Sequence, residues 1–293
     1  MIVHREIDYS SDIKAIKELL NSKFEGDFDQ SHFIWKHLDN PFGKSLGLVA
    51  LDGGKIVGVR MFMKWQFKKG NDTVFALRPV DTITHPDYRG RGIFKVLTLK
   101  GLKKFRKEYD IIFNTPNQNS LPGYLKMGWK LLDKRPHYKL AYVISSKKRK
   151  ISLECLRPND VSINEKDADP GKGYYWTVPS MDFITWRYAH YIYKIAKIGI
   201  KEHEVHVIFR KGCKYGRAIL IIEEIFGNEE YFKKAVRLLA STMRVRLVYY
   251  LSSNPFDFIL SIKRGKAVIV YNKDEKNVGN RLFFSMGDLD ARL

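Results

Sequence analysis

The apolar positions of this chain switch between the two regular periods, and the switches predict its elements in order. Residues 2–7 read as a short strand. From Ser11-Asp12, a helix start signal, Ile13, Ile16, Leu19 and Leu20 fall on one side of a helix, and residues 31–38 predict a second, shorter one. Residues 46–51 and 55–67, separated by Asp52-Gly53-Gly54, have the composition of a β-hairpin, and residues 73–84 form a further strand. A helical period follows, with Phe94, Leu97, Gly101 and Phe105 on one face and Lys100, Lys103, Lys104 and Lys107 on the other. Residues 109–115, 129–132 and 138–144 read as strands that complete a first domain of seven strands and four helices.

The polar run Ser145-Ser146-Lys147-Lys148-Arg149-Lys150 marks a boundary, giving domains 1–146 and 147–293. The second half then restarts the first. Phe183-Ile184-Thr185-Trp186-Arg187-Tyr188 echoes Phe33-Ile34-Trp35-Lys36-His37, and each is followed by a hairpin, a helix and a strand. In the second half these are residues 205–210 with 218–226, 231–243 and 245–251. The fold class expected is α/β (α+β): two tandem domains, each a mixed, mostly antiparallel sheet flanked by helices.

The chemistry concentrates at the junction of strand 73–84 with the helix after it, where the chain reads Thr82-Ile83-Thr84-His85-Pro86-Asp87-Tyr88-Arg89-Gly90-Arg91-Gly92-Ile93-Phe94. A strand that passes through a glycine-rich turn into a helix makes an anion site, because the first helical N–H groups lack intrahelical partners and lie at the positive end of the dipole. The same letters also suit a tight turn that needs positive φ.

The stretch resembles the signature Arg/Gln-x-x-Gly-x-Gly/Ala of the GNAT acetyltransferase superfamily, with Arg89, Gly92 and Phe94 at the defining positions and Phe94 departing from Gly/Ala. A second match, Asn117-Gln118-Asn119-Ser120-Leu121-Pro122-Gly123-Tyr124-Leu125-Lys126-Met127-Gly128-Trp129, is similar to the family's Asn-x-x-Ala-x-x-x-Tyr-x-x-x-Gly-Phe, with Ser120 for Ala and Trp129 for Phe. The resemblance implies acetyl-CoA as acyl donor, held by Ile83, Thr84, Arg89, Gly90, Arg91, Gly92, Ile93, Phe94, Asn117 and Ser120. It further implies a pantetheine contact at Asn117, a proton from Tyr124 to the leaving thiolate, and a backbone N–H near Ile83 for the oxyanion. The competing readings are a helix cap for Asn117 and a core ring for Tyr124. The lysine face of the helix suits either the 3′-phosphate of CoA or plain solvent. The second half has Phe226-Gly227-Asn228-Glu229-Glu230 where a phosphate loop would stand, so it is read as degenerate and as completing the acceptor cleft. Tandem pairs of this kind resemble some acyltransferases of bacterial surface-sugar pathways.

An acceptor alkylammonium titrates near ~10.4 and needs help to lose its proton at neutral pH. Asp81, on the strand entering the loop, is the first candidate base, with an ion pair to Arg78 as its other reading and His85 and His37 as substitutes. Trp35, His37, Arg60 and Arg78 are candidates for the acceptor side, along with Phe62 and Trp65.

Composition narrows the partners. Lysine and arginine number 52 against 32 acidic residues, a net charge of +20 that favours anionic ligands. Two cysteines, Cys155 and Cys213, exclude a disulfide framework and a cysteine zinc site, and no metal is expected. No apolar run reaches spanning length and the first residues lack a signal-peptide core, so a cytoplasmic protein without membrane insertion is expected. The reaction expected is N-acetyl transfer to a small amine or a nucleotide-linked amino sugar. The alternatives are a protein lysine acetyltransferase, a Fem-type aminoacyl transferase using charged tRNA, and a nucleic-acid module, for which no recognition motif is present.

Overall fold

The computed structural model describes residues 1–21, 29–144, 153–156, 173–214, 216–274 and 276–289. In the first half, β1 (Val3–Glu6), β2 (Leu46–Asp52), β3 (Lys55–Lys69) and β4 (Asp72–Thr84) pair antiparallel in that order, and β5 (Ile111–Asn114) joins β4 in parallel. Side chains alternate across the sheet. Val49, Val59 and Met61 therefore meet Ile16, Leu19 and Leu20 of α1 (Ile13–Asn21) and Phe33 of α2 (Gln30–His37), whereas Leu48, Ala50 and Phe62 meet α3 (Ile93–Lys104) and α4 (Leu121–Lys126).

After the short β6 (Lys130–Leu131) and β7 (His137–Tyr142), the second half repeats the plan. Its elements are β8 (Leu153–Leu156), α5 (Met181–Arg187), β9 (Lys194–Ile200), β10 (His203–Lys214), β11 (Arg217–Gly227), α6 (Phe232–Thr242), β12 (Leu247–Leu251), β13 (Ser261–Lys266), β14 (Val270–Asn272) and α7 (Met286–Leu289). The first sheet runs β1-β2-β3-β4-β5-β14-β6 and the second, read the same way, β8-β9-β10-β11-β12-β7-β13. The two orders are equivalent position by position.

Each half thus lends its seventh strand to the other, where it takes the sixth place in the sheet. β14 inserts between β5 and β6, with Tyr271 opposite Phe113 and Lys130. In return β7 inserts between β12 and β13, with Leu140 opposite Tyr249 and Ile262. This corrects the expectation that residues 138–144 complete the first domain: consecutive strands are often neighbours, but pairing is decided by which edge is open, and here the open edges are exchanged. The boundary at 146 lies outside the described residues.

The two sheets face one another over a shared core. Met63, Trp65, Phe67, Ile111 and Phe113 from the first pack with Ile208, Ile219, Ile221 and Phe226 from the second, and Phe183 and Trp186 of α5 fill the space between. Each fully buried aromatic of this kind contributes about 2–3 kcal/mol of transfer free energy. The indole N–H of Trp65 is satisfied by Thr177 Oγ1 at 2.8 Å.

Candidate active site

The 89–94 loop has the geometry of an anion cradle. Gly90 and Gly92 hold φ of 76° and 74°, the left-handed region that favours glycine, and open space surrounds the place where a Cβ would stand on each. Gly92 is the N-cap of α3 and supplies no side-chain cap, and the first intrahelical bond of the turn is Val96 N–H to Gly92 O at 3.0 Å. The amides of Ile93, Phe94 and Lys95 are therefore left without helical acceptors. Arg89 and Arg91 are exposed on either side, and Arg91 stacks over the Tyr88 ring at 4.7 Å. These residues fit a pyrophosphate. Phe94 does not block it: its ring turns inward, edge-on to Tyr124 at 5.8 Å and under the Arg60 guanidinium at 5.2 Å. The lysine face of α3 is partly engaged by β1, with Lys104 on Glu6 at 2.6 Å and Lys100 donating to His4 Nδ1 at 3.2 Å.

Behind the loop the sheet forks. β4 pairs with β5 only at Ala76 with Ile111 and Leu77 with Ile112, so beyond Leu77 the β5 side of β4 has no strand partner. A bulge sharpens the divergence: Val59 faces Ile83 but Met61 faces Val80, which leaves Asp81 and Thr82 opposite Arg60, and Asp81 has φ +40°. The His85 N–H bonds Val57 O at 2.9 Å, so alternation turns the Ile83 amide toward β3 as well and the Thr84 amide into the fork. The amide turned into the fork is thus that of Thr84, next to Ile83.

Tyr124 closes the fork on the α3 side. It is 1% exposed, packed edge-on against Trp129 at 4.7 Å, and its hydroxyl oxygen accepts from Arg60 Nη2 and from Asn114 Nδ2, both at 2.6 Å. The orientation of the Asn114 amide is fixed because its Oδ1 accepts from Thr115 N at 2.8 Å. A phenol oxygen has two lone pairs and one proton. With both lone pairs filled, the proton points in the remaining direction, and among the described residues nothing accepts it. Arg60 is equally buried, donates also to Thr82 Oγ1, and has no carboxylate partner among the described residues. The core ring read as an alternative for Tyr124 is thus present together with a poised hydroxyl. Asn114, Thr82 and the role of Arg60 were not legible in the motif, since only the β4 bulge brings them together.

Asp81 is held by α2, not by Arg78. Its Oδ1 accepts from Lys36 Nζ at 2.9 Å and its Oδ2 faces His37 Nε2 at 2.7 Å, while His37 Nδ1 meets Ser45 Oγ at 2.9 Å. Burial alone would raise the Asp81 pKa, but the Lys36 charge and the His37 bond outweigh it and hold the carboxyl well below the usual range. Burial pushes both Lys36 and His37 down, so His37 is neutral at pH 7, with both ring nitrogens engaged.

The other candidates are distributed. Arg78 spans the base of the fork, donating to Thr115 Oγ1 at 3.0 Å and to the carbonyl of Asp288 at 2.6 Å, which ties the fork to α7. Trp35 is an inter-domain contact, stacked on Trp186 at 5.3 Å. His85 caps the short turn 86–88. Asn117 orders the turn before α4, whose N-cap residue is Ser120: its Oδ1 accepts from Ser120 N at 2.9 Å and Ser120 Oγ at 3.0 Å, and its side chain is exposed. Among the described residues no group of His, Cys, Asp and Glu is placed to hold a metal, and no helix is long and apolar enough to cross a membrane.

Residues 5–132 match the model of the acetyltransferase (GNAT) domain family. Among solved structures the chain is similar to a probable N-acyltransferase of Enterococcus faecalis V583, at 13% identity and a TM-score of 0.70 over 94% of this chain and 73% of that one. It is similar to a GCN5-related N-acetyltransferase of Anabaena variabilis at 14% identity and 0.68, over 92% and 72%. A tandem GNAT protein of the clavulanic acid biosynthesis pathway aligns at 14% and 0.55, over 93% of this chain and 98% of its own. At these identities the likeness is one of fold. No curated protein matches the sequence significantly.

Proposed function

We propose, for a chain whose residues 5–132 match the acetyltransferase (GNAT) domain family, that it moves an acetyl or other short acyl group from acetyl-CoA to the primary amine of a small acceptor, an amino sugar or nucleotide-linked amino sugar, within a ternary complex. The observation that carries this reading is the unaccepted proton of Tyr124 beside the buried Arg60, at the end of a fork whose mouth is the glycine loop.

In this reading the loop at Arg89, Gly90, Arg91, Gly92, Ile93 and Phe94 takes the pyrophosphate, and Asn117 Nδ2, with Ser120 beside it, borders the pantetheine arm. CoA supplies the thioester, and the chain's own groups do the rest. As the acceptor nitrogen bonds to the acyl carbon, the Thr84 amide, one peptide beyond Ile83, faces the developing oxyanion. As the carbon–sulfur bond breaks, the Tyr124 proton passes to sulfur, and the Arg60 charge stabilises the phenolate left behind. Asp81 is ionised throughout the working range, which suits it to draw the acceptor ammonium toward the bulge and makes it a weak proton acceptor. The amine proton then leaves by way of water. The second half packs on the first sheet at Met63, Trp65 and Phe67 and in this reading helps to enclose the acceptor, which supports a small amine over a protein lysine.

The test is release of free thiol from acetyl-CoA by the purified protein against amino sugars, nucleotide-linked amino sugars, simple amines and lysine peptides. Transfer to lysine peptides with none to any small amine would count against the acceptor class. No thiol release with any acceptor would count against the reaction.

A further inference from the structure

The second sheet forks as the first does. β11 pairs in parallel with β12 from Ile219 to Ile221 opposite Leu247, Val248 and Tyr249, and the strands then separate. A cavity of about 460 Å³ occupies the gap, bounded by Glu224, Phe226, Trp176, Ser253 and Asp288 and ending at the start of α6. It stands where the first half places its acyl-donor cleft. The phosphate loop is missing there, and the charge has changed sign.

Two carboxyls stand at this cavity without a direct ion pair among the described residues. Glu224 Oε1 accepts from Tyr188 Oη at 2.7 Å and from Ser285 Oγ at 2.5 Å. Asp288 is 2% exposed, lines the cavity, and its Oδ1 has no hydrogen-bond partner. Neither acid forms an ion pair among the described residues. Of the guanidiniums nearby, Arg187 donates to the carbonyl of Gly287 at 2.8 Å, Arg210 is paired with Glu223 at 2.5 Å, and Arg78 donates to the carbonyl of Asp288, its charge favouring the ionised Asp288 carboxylate without a direct pair. At the mouth, Lys134 and Arg135 stand opposite the single acid Glu229. Aromatic walls, an acidic floor and a mouth with an excess of cations describe the complement of one kind of molecule.

We infer that the β11/β12 cavity binds a small zwitterion, with its primary ammonium set between Glu224 and Asp288 and its anionic group at Lys134 and Arg135. Burial pushes both carboxyls above their ordinary values, so the empty pair retains a proton that an entering ammonium displaces. This binding is independent of acyl transfer and requires no acyl donor.

The probe is 6-aminohexanoate, titrated calorimetrically into the full chain without CoA, with hexylamine and hexanoate as controls that each carry one of its two ends. One 6-aminohexanoate per chain is expected, with weaker binding of hexylamine and none of hexanoate. Glu224→Gln and Asp288→Asn should each weaken binding at least about tenfold, since each removes a charge facing the ammonium. Should those buried variants fold poorly, Lys134→Glu on the exposed rim should weaken 6-aminohexanoate while leaving hexylamine unchanged. Hexanoate binding as tightly as 6-aminohexanoate would overturn the inference, as would an affinity unmoved by all three substitutions. Absence of binding at millimolar probe would overturn it as well, and loss of acetyl transfer with zwitterion binding intact would not.

Discussion

Trp35 and Trp186 donate their indole N–H groups to each other's backbone carbonyls, at 2.6 Å in both directions, with the rings stacked between them. The two residues occupy matching places on α2 and α5, so a local two-fold relation passes between them. Trp35→Phe and Trp186→Phe each remove one donor and leave one carbonyl without its partner in a dry contact. Each should cost about 1–2 kcal/mol in denaturant unfolding. Because the bonds share one stack, the double variant should show a coupling of about 1 kcal/mol, whereas independent sites would add.

Replacing Gly90 and Gly92 together by Val places β-branched residues at positive φ and closes the approach to the α3 amides. Calorimetry should show one CoA per wild-type chain and at least about a hundredfold loss in the variant, with the far-ultraviolet spectrum retained. A second CoA on the wild-type chain would mean that the second fork also takes the donor.

Tyr124→Phe keeps the packing against Trp129 and Phe94 and removes only the hydroxyl. Turnover should fall by ~10²–10⁴ under conditions where chemistry is rate-limiting, with KM for acetyl-CoA little changed. Arg60→Met should lower turnover in the same direction, since the phenolate left behind loses the neighbouring cation.

Asp81→Asn leaves Lys36 buried without its counter-charge and should destabilise the chain by about 3 kcal/mol at neutral pH. The pH dependence has a definite sign. A carboxyl held below its unfolded value of 3.8 contributes stability above that pH and loses it as the pH falls toward the folded value. Acid unfolding curves of the wild type should therefore steepen below pH 3.8, and those of Asp81→Asn should not.

Glu224 behaves oppositely. Its carboxyl is pushed from 4.5 up to about 8 by burial first and then by Asp288 beside it, so within that interval the folded chain holds a proton that the unfolded chain has released. Stability should fall as the pH rises from 4.5 to about 8. In Glu224→Gln the unfolding midpoint should change less over the same range.

Much of this molecule was legible in its letters, for physical reasons. The hairpins, α3 and the glycine loop are local, and period, turn residues and capping report on local structure. The Trp35 and Trp186 echo was visible as well, because two equal helices must carry equal letters to meet on a two-fold. What could not be read depends on distance along the chain. The exchange of β7 for β14 leaves no local mark: residues 138–142 alternate like any strand, and Val270-Tyr271-Asn272 is too short to name its neighbours. Asp81 was seen as a carboxylate near Arg78, three residues away, while its partners Lys36 and His37 lie more than forty residues earlier. The sequence located a free amide only as near Ile83, because which amide faces the fork follows from the register of the partner strand.

The exchanged strands also govern when the molecule comes into being. β5 gains its second neighbour only when Val270 arrives, so a chain emerging from the ribosome carries the glycine loop and Tyr124 long before the sheet beneath them is closed. Until its last stretch is synthesised, β5 and β6 present bare edges toward each other, and a nascent or truncated chain is an open template for wrong pairings. If the first half binds the donor as proposed, the sheet beneath that site is completed by β14 of the second. A stop before Val270 would leave β5 and β6 without the strand between them, although every residue assigned to CoA in the proposed reading would still be present.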